Sequence, residues 1–226
     1  IRDFCLSRGL GDVYKRQIIN KGFIFRATPH PNVKDYVFLV ATQNFTTITI
    51  EDRFTTKTQM LNQGETFKDS IVDSLTHIIA DKNIYVIHAS GYGCELGEAL
   101  IPPLNCSGSD QVNFTRTATA ATASFFLNVL CRTGDEGSFT LNGSTTLLPA
   151  TSFTVVPGTG GAWKGAQKQF SLTDIPLFTA SSISNSTGLF SLGIIDGGAT
   201  GGCLYHYMSS FPVSYTHLTL PTNREV

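Results

Sequence analysis

Charge is scarce in this sequence and nearly balanced, with 16 Lys and Arg against 17 Asp and Glu in 226 residues. No basic stripe is present to neutralise phosphates, so no nucleic-acid partner is expected. Long apolar runs are missing as well. None approaches the roughly 18 residues that span a bilayer, so no membrane insertion is expected within this stretch. The usual catalytic signatures are also absent. There is no Gly-x-Ser-x-Gly elbow. The stretch PGTGGAWKG (Pro157–Gly165) fails as a phosphate loop, because Gly165 rather than Ser or Thr follows Lys164. His30, His77, His88 and His206 include no pair at metal-ligand spacing. No catalytic residue, cofactor or metal site is therefore expected.

What the chain does have is short β-branched and aromatic runs separated by Gly, Asn and Asp. They are Tyr36–Thr42, Thr46–Asp52, Asn83–Ser90, Gln111–Thr117, Ser124–Cys131, Ser138–Gly143, Thr151–Gly158, Gly188–Asp196 and Cys203–Phe211. Their lengths and residue types predict strands, and many short strands predict an all-β fold of sandwich-like antiparallel sheets. Phe67, Ile71, Leu75 and Ile78/Ile79 fall at helical spacing, but the strong strand that follows favours strand and loop there. A weak repeat runs through the chain. Phe38-Leu39-Val40 resembles Phe126-Leu127-Asn128, Ile48-Thr49-Ile50 resembles Phe139-Thr140-Leu141, and Ile78–Gly91 resembles Ser182–Gly197. It predicts two related β units in tandem, 18–115 and 116–212, the second carrying a flexible insertion around Gly158–Gln169.

The two ends read differently. Asp12–Gln17 can be encoded GATGTGTATAAGAGACAG, and the reverse complement of that DNA, read from its third base, encodes Val213–His217 and the first base of a Leu218 codon. Natural termini have no reason to encode each other on opposite strands. Residues 1–17 and 213–226 are read as translated sequencing-library adaptor and are expected not to pack on the core. Without them 11 basic residues face 14 acidic ones, a net charge of −3.

Trimming also removes Cys5 and leaves four cysteines, Cys94, Cys106, Cys131 and Cys203. An even number in a chain rich in Thr, Ser, Gly and Asn favours an oxidising compartment. Cys94 and Cys106 are too far apart for a zinc pair, and a disulfide stapling the Gly- and Pro-containing loop between them fits better. Cys131 and Cys203 then pair by elimination, with two other connectivities open. Glu95 and Glu98 share that loop and cannot flank a sugar from opposite sides, so they read as solvated charges. Asn-x-Ser/Thr occurs at Asn44, Asn105, Asn113, Asn142 and Asn185, as the abundance of these residues would produce. The lone Trp163 reads first as a packed cap over one end of the sandwich. Tyr92 and Trp163 are the candidate ligand contacts.

The segment IYVIHASGYGCELGEALIPPLNCSGSDQVNFTR (Ile84–Arg116) resembles the signature of the N-terminal domain family named after the IgGFc-binding protein. FFLNVL, GSFTLNG, VPGT and NSTGLFSLGIIDGG follow in the family's order, and His206-Tyr207 stands where members often have Gly-Tyr. The resemblance implies a β-rich module of secreted or cell-surface proteins, non-enzymatic, serving binding or adhesion with a protein or glycan ligand. The alternatives are a secreted glycan-acting hydrolase and a passive spacer of a surface stalk.

Overall fold

The computed structural model describes residues 16–20, 34–92, 96–104, 107–116, 124–198 and 202–209. The described residues form strands β1 (Arg16–Asn20), β2 (Lys34–Ala41), β3 (Thr46–Glu51), β4 (Thr56–Leu61), β5 (Thr66–Ile71), β6 (Leu75–Ala80), β7 (Ile84–Tyr92) and β8 (Gly97–Leu100). They continue with β9 (Gln111–Thr115), β10 (Ser124–Arg132), β11 (Phe139–Leu141), β12 (Thr154–Val155), β13 (Trp163–Phe170), β14 (Ala180–Asn185), β15 (Phe190–Gly198) and β16 (Gly202–Met208). A 3-10 turn at Ala150–Ser152 is the one helical element described. The all-β reading holds, and the helical spacing around Phe67–Ile79 resolves into β5 and β6.

Four antiparallel sheets result. Sheet A has the order β1-β6-β3-β4, sheet B β5-β2-β7-β8, sheet C β12-β13-β10-β15-β16 and sheet D β11-β14-β9. Alternation decides which face each strand buries. Val37, Leu39, Ile84 and Val86 of sheet B meet Ile48, Ile50, Ile78 and Ala80 of sheet A in one core. Phe125, Leu127, Val129, Leu192 and Ile194 of sheet C meet Phe139, Leu141 and Ile183 of sheet D in another. Each such side chain contributes about 1.5–3 kcal/mol of burial free energy.

The two halves share one strand order, apart from β4 in sheet A and β12 in sheet C, which have no counterpart. In sheet B, β2 lies between β5 and β7, and β8 follows β7. In sheet C, β10 lies between β13 and β15, and β16 follows β15. Sheets A and D correspond likewise, β1-β6-β3 with β9-β14-β11. The registers carry the match to single residues. Ile48 faces Ala80 and Ile50 faces Ile78, as Phe139 faces Asn185 and Leu141 faces Ile183. Gln111–Thr115, grouped with the first unit on sequence, pairs with β14 of sheet D.

Two expectations change. Arg16 and Gln17 belong to β1 and pair with Ile79 and Ile78, so the strand reaches two residues into the segment expected to stay off the core. Backbone pairing at a sheet edge asks little of side-chain identity. The expected flexible insertion is β13, paired along its length with β10 from Trp163↔Arg132 to Phe170↔Phe125.

The central strands of sheet C, β10 and β15, are buried on both sides. On the face away from its own sandwich core, Leu130 clusters with Leu75 of β6, Leu104 and Val156. Met208 of β16 enters the first core beside Ala99 and Ile101. A Cβ on Gly193 would stand 2.5 Å from the Met208 sulfur, so glycine lets β15 and β16 close over that face.

Candidate functional site

The outer face of sheet B stands out because it is apolar where an outer face is usually polar. Cross-strand pairing arranges it in three rows. Thr66, Val40 and Tyr85 form the first, and Lys68, Phe38, Ile87 and Leu100 the second. Ser70, Tyr36, Ala89 and Glu98 form the third. Tyr85 is 51% exposed and Leu100 38%, while Tyr36, Phe38, Val40 and Ile87 are partly exposed. The Lys68 ammonium lies 3.9 Å from the Tyr36 ring centroid and 5.8 Å from that of Phe38, so it crosses the face from the second row toward the third. Such a cation over an aromatic face contributes about 0.5–1 kcal/mol at an exposed site. A contiguous apolar surface rimmed by Lys68, Ser70 and Glu98 has the makeup of an interaction site.

The equivalent face of sheet C shows what this one would look like when covered. Phe38 sits between Lys68 and Ile87, and Phe126 sits between Gln169 and Ile195. Yet Phe126 is only 6% exposed and Ile195 is fully buried.

Under the open face lies a buried polar trio. Ser90 Oγ donates to Asp35 Oδ1 at 2.9 Å, and His88 Nε2 is 3.1 Å from Asp35 Oδ2. Asp35 lies where the β2–β7 register shifts, which turns its carboxylate toward both partners. A carboxylate only accepts, so His88 Nε2 carries the proton of that bond. Serine, histidine and aspartate invite comparison with a nucleophilic triad, but the order is wrong. There the imidazole stands between hydroxyl and carboxylate and takes the hydroxyl proton. Here the carboxylate stands between, the hydroxyl proton points to Asp35, and all three are buried. The arrangement satisfies polar groups and organises the sheet.

A buried arginine and a buried aspartate belong to the second half. Arg116 donates to the Phe170 carbonyl at 3.3 Å and lies over the Phe125 ring at 5.0 Å. Burial lowers the Arg116 pKa, and the charge of Asp196 opposes that shift. Burial likewise raises Asp196, and Arg116 opposes it. By register Asp196, opposite Phe125, holds the place that His88, opposite Val37, holds in the first half. Sequence reading singled out neither pair, because each joins residues more than 50 positions apart.

The residues marked on sequence are scattered. Cys94, Glu95 and Cys106 lie outside the described residues, as does the side chain of Tyr92 at the end of β7. Glu98 is exposed on β8, in keeping with a solvated charge. Trp163 begins β13, half-buried against the Leu75–Leu130 cluster with the Arg132 guanidinium 4.8 Å from its ring, in keeping with a packed aromatic. The Cys131–Cys203 pairing is not made. Cys131 is a free, buried thiol opposite Phe190, whereas Cys203 lies opposite Gly197, which is opposite Ser124. Seven residues of strand, about 23 Å, therefore separate the two levels, against the 4.4–6.8 Å between Cα atoms that a disulfide needs. Burial first, and then the nearby Glu136 and Asp135, push the Cys131 thiol up to about 12. We expect Cys131 to resist alkylation in the native protein and to react once urea unfolds it. Peptide mass mapping reads this directly, and rapid native labelling of Cys131 would contradict the buried position.

The open face was detectable in principle. YVFLVA (Tyr36–Ala41) is apolar at both strand parities, and a strand of that kind either is covered on both sides or shows an apolar surface.

No helix among the described residues is long and apolar enough to cross a membrane. No curated protein and no solved structure matches the chain significantly. A family model, IgGFc binding protein, matches residues 19–195, which takes in both cores except Met208, the open face of sheet B and the buried trio beneath it. The chain belongs to the IgGFc binding protein family.

Proposed function

We propose that the chain is a non-enzymatic secreted or cell-surface module for binding or adhesion, and that a protein or glycan ligand docks on the outer face of sheet B. The observation that carries this reading is the exposed aromatic and aliphatic surface formed by Tyr36, Phe38, Tyr85, Ile87 and Leu100. Family membership supports a binding role in general. A flat sheet face presents rigid rings at low entropic cost, the property that makes tyrosine a frequent interface anchor. The fold supplies the rigidity, since β2 and β7 are the central strands of sheet B and their inner residues fill the first core. A Cys94–Cys106 staple belongs to the same proposal. It would close the segment that leads from β7 past β8 at the border of this face, and contribute about 3 kcal/mol.

Protein, mucin and glycan arrays probed with the wild-type chain and with a Tyr85→Ala/Leu100→Ser variant test the reading. Binding should fall at least about tenfold in the variant, as expected when anchor side chains worth about 1.4 kcal/mol or more are removed. Uniformly blank arrays would favour a passive spacer. Binding that the variant leaves intact would move the site elsewhere.

A further inference from the structure

We infer that one ligand of this face is a second copy of the same chain, docked face to face about a two-fold axis parallel to the strands of sheet B. The inference rests on the reading of that face as the binding surface and names its partner.

Two observations point to it. The first is the internal repeat. The face of sheet C that corresponds to this one, with Phe126 for Phe38 and Ile195 for Ile87, is already buried along β10 and β15, its Leu130 packed against Leu75 of sheet A. In the second half, then, this sheet position packs against a β-sheet surface of the same chain. In the first half Tyr85 and Leu100 on the same face are exposed and Phe38 and Ile87 partly exposed.

The second is the charge pattern. Across sheet B the strand order is β5-β2-β7-β8. A two-fold axis along the strands reverses that order in the partner, so β5 of one copy faces β8 of the other, and each row meets its own equivalent. Lys68 is on β5 in the second row, and its ammonium leans over Tyr36 in the third. Glu98 is on β8 in the third row and is exposed. The symmetry therefore sets Lys68 of each copy against Glu98 of the other, two ion pairs flanking an apolar centre of Tyr36, Phe38 and Ile87. A two-fold axis across the strands would oppose β5 to β5 and bring the lysines together. The face is self-complementary in the first arrangement alone, as an isologous contact requires.

Its size sets its strength. Four strands about 4.8 Å apart and three rows about 6.8 Å apart give a face about 20 Å on a side. A dimer buries on the order of 1,000 Å² in total, at the low end of specific interfaces. Association should be weak between free molecules and effective between arrays held on opposing surfaces, where avidity multiplies it.

Sedimentation velocity on the full chain, from about 5 µM to about 500 µM, reads the equilibrium across the range where such contacts titrate. The wild type should pass from monomer toward dimer. Lys68→Glu and Glu98→Lys should each shift the dissociation constant upward by at least about tenfold, and the double exchange Lys68→Glu/Glu98→Lys should restore it. Circular dichroism melts confirm that each variant is folded. A wild type that stays monomeric throughout, or a dimer indifferent to the single exchanges, or one that the double exchange fails to rescue, overturns the inference. Array binding that disappears in Tyr85→Ala/Leu100→Ser while the chain remains monomeric would overturn the self-association and leave the proposed ligand face standing.

Discussion

Asp35→Ala is expected to destabilise the protein by about 3–5 kcal/mol. Asp35 accepts from both His88 and Ser90 inside the first core, and all three are buried. Alanine removes this acceptor from both at once, and water cannot reach in to replace it. The cost is that of stranding buried polar groups rather than of losing two ordinary bonds. Ser90→Ala should cost far less, about 1 kcal/mol, because Asp35 keeps His88. Urea unfolding followed by tryptophan fluorescence and far-ultraviolet circular dichroism measures both. A loss below about 1 kcal/mol for Asp35→Ala would show that the trio does not hold sheet B together.

The second large effect belongs to the other core. Phe139 stacks on Phe153 with ring centroids 5.2 Å apart and meets the edge of Phe190, also at 5.2 Å. Phe139→Ala empties the centre of that aromatic group, and we expect a loss of about 3–5 kcal/mol. Phe139→Leu refills most of the volume and should lose less than half as much. For a chain of this length the alanine variant should melt about 8–15 °C lower. Leu130 and Met208 tie the second half to the first. Both alanine variants should therefore shift one common transition, and two separate unfolding steps would mean that the halves are energetically independent.

Much of the fold was legible in the sequence because strand patterning is local. β2, β3, β7, β10 and β15 follow from β-branched and aromatic runs, and the repeat is visible because the same runs recur in the same order. β13 was missed for a physical reason. WKGAQKQF carries two lysines, two glutamines and a glycine, and its place in sheet C depends on pairing with β10 rather than on its own composition. β4 is polar because it is an edge strand of sheet A. β5 mimics helical spacing because Phe67 and Ile71, four apart, share one strand face with Asp69 between them, and Asp69 turns to Lys57 at 2.8 Å.

The site was less legible. Its residues come from β2, β5, β7 and β8, and only the sheet order brings them together. Pairing Cys131 with Cys203 by elimination failed because counting cysteines ignores where along neighbouring strands each one falls. The trio of Asp35, His88 and Ser90 depends on a register shift that no local pattern announces.

Burial of the central strands of sheet C on both sides has a consequence for how this chain tolerates change. In β2 alternate residues answer to different demands, Val37 and Leu39 to the core and Tyr36 and Phe38 to the surface. In β10 no residue from Phe125 to Cys131 has that freedom, since Phe125, Leu127, Val129 and Cys131 fill one core while Phe126, Asn128 and Leu130 are buried on the opposite side. The two strands are structural counterparts, yet inherited variation can accumulate at every second position of one and almost nowhere in the other. Two matching sheets under such unequal constraint are expected to differ most on the open one, so the proposed ligand face on sheet B can change while β10 keeps the fold.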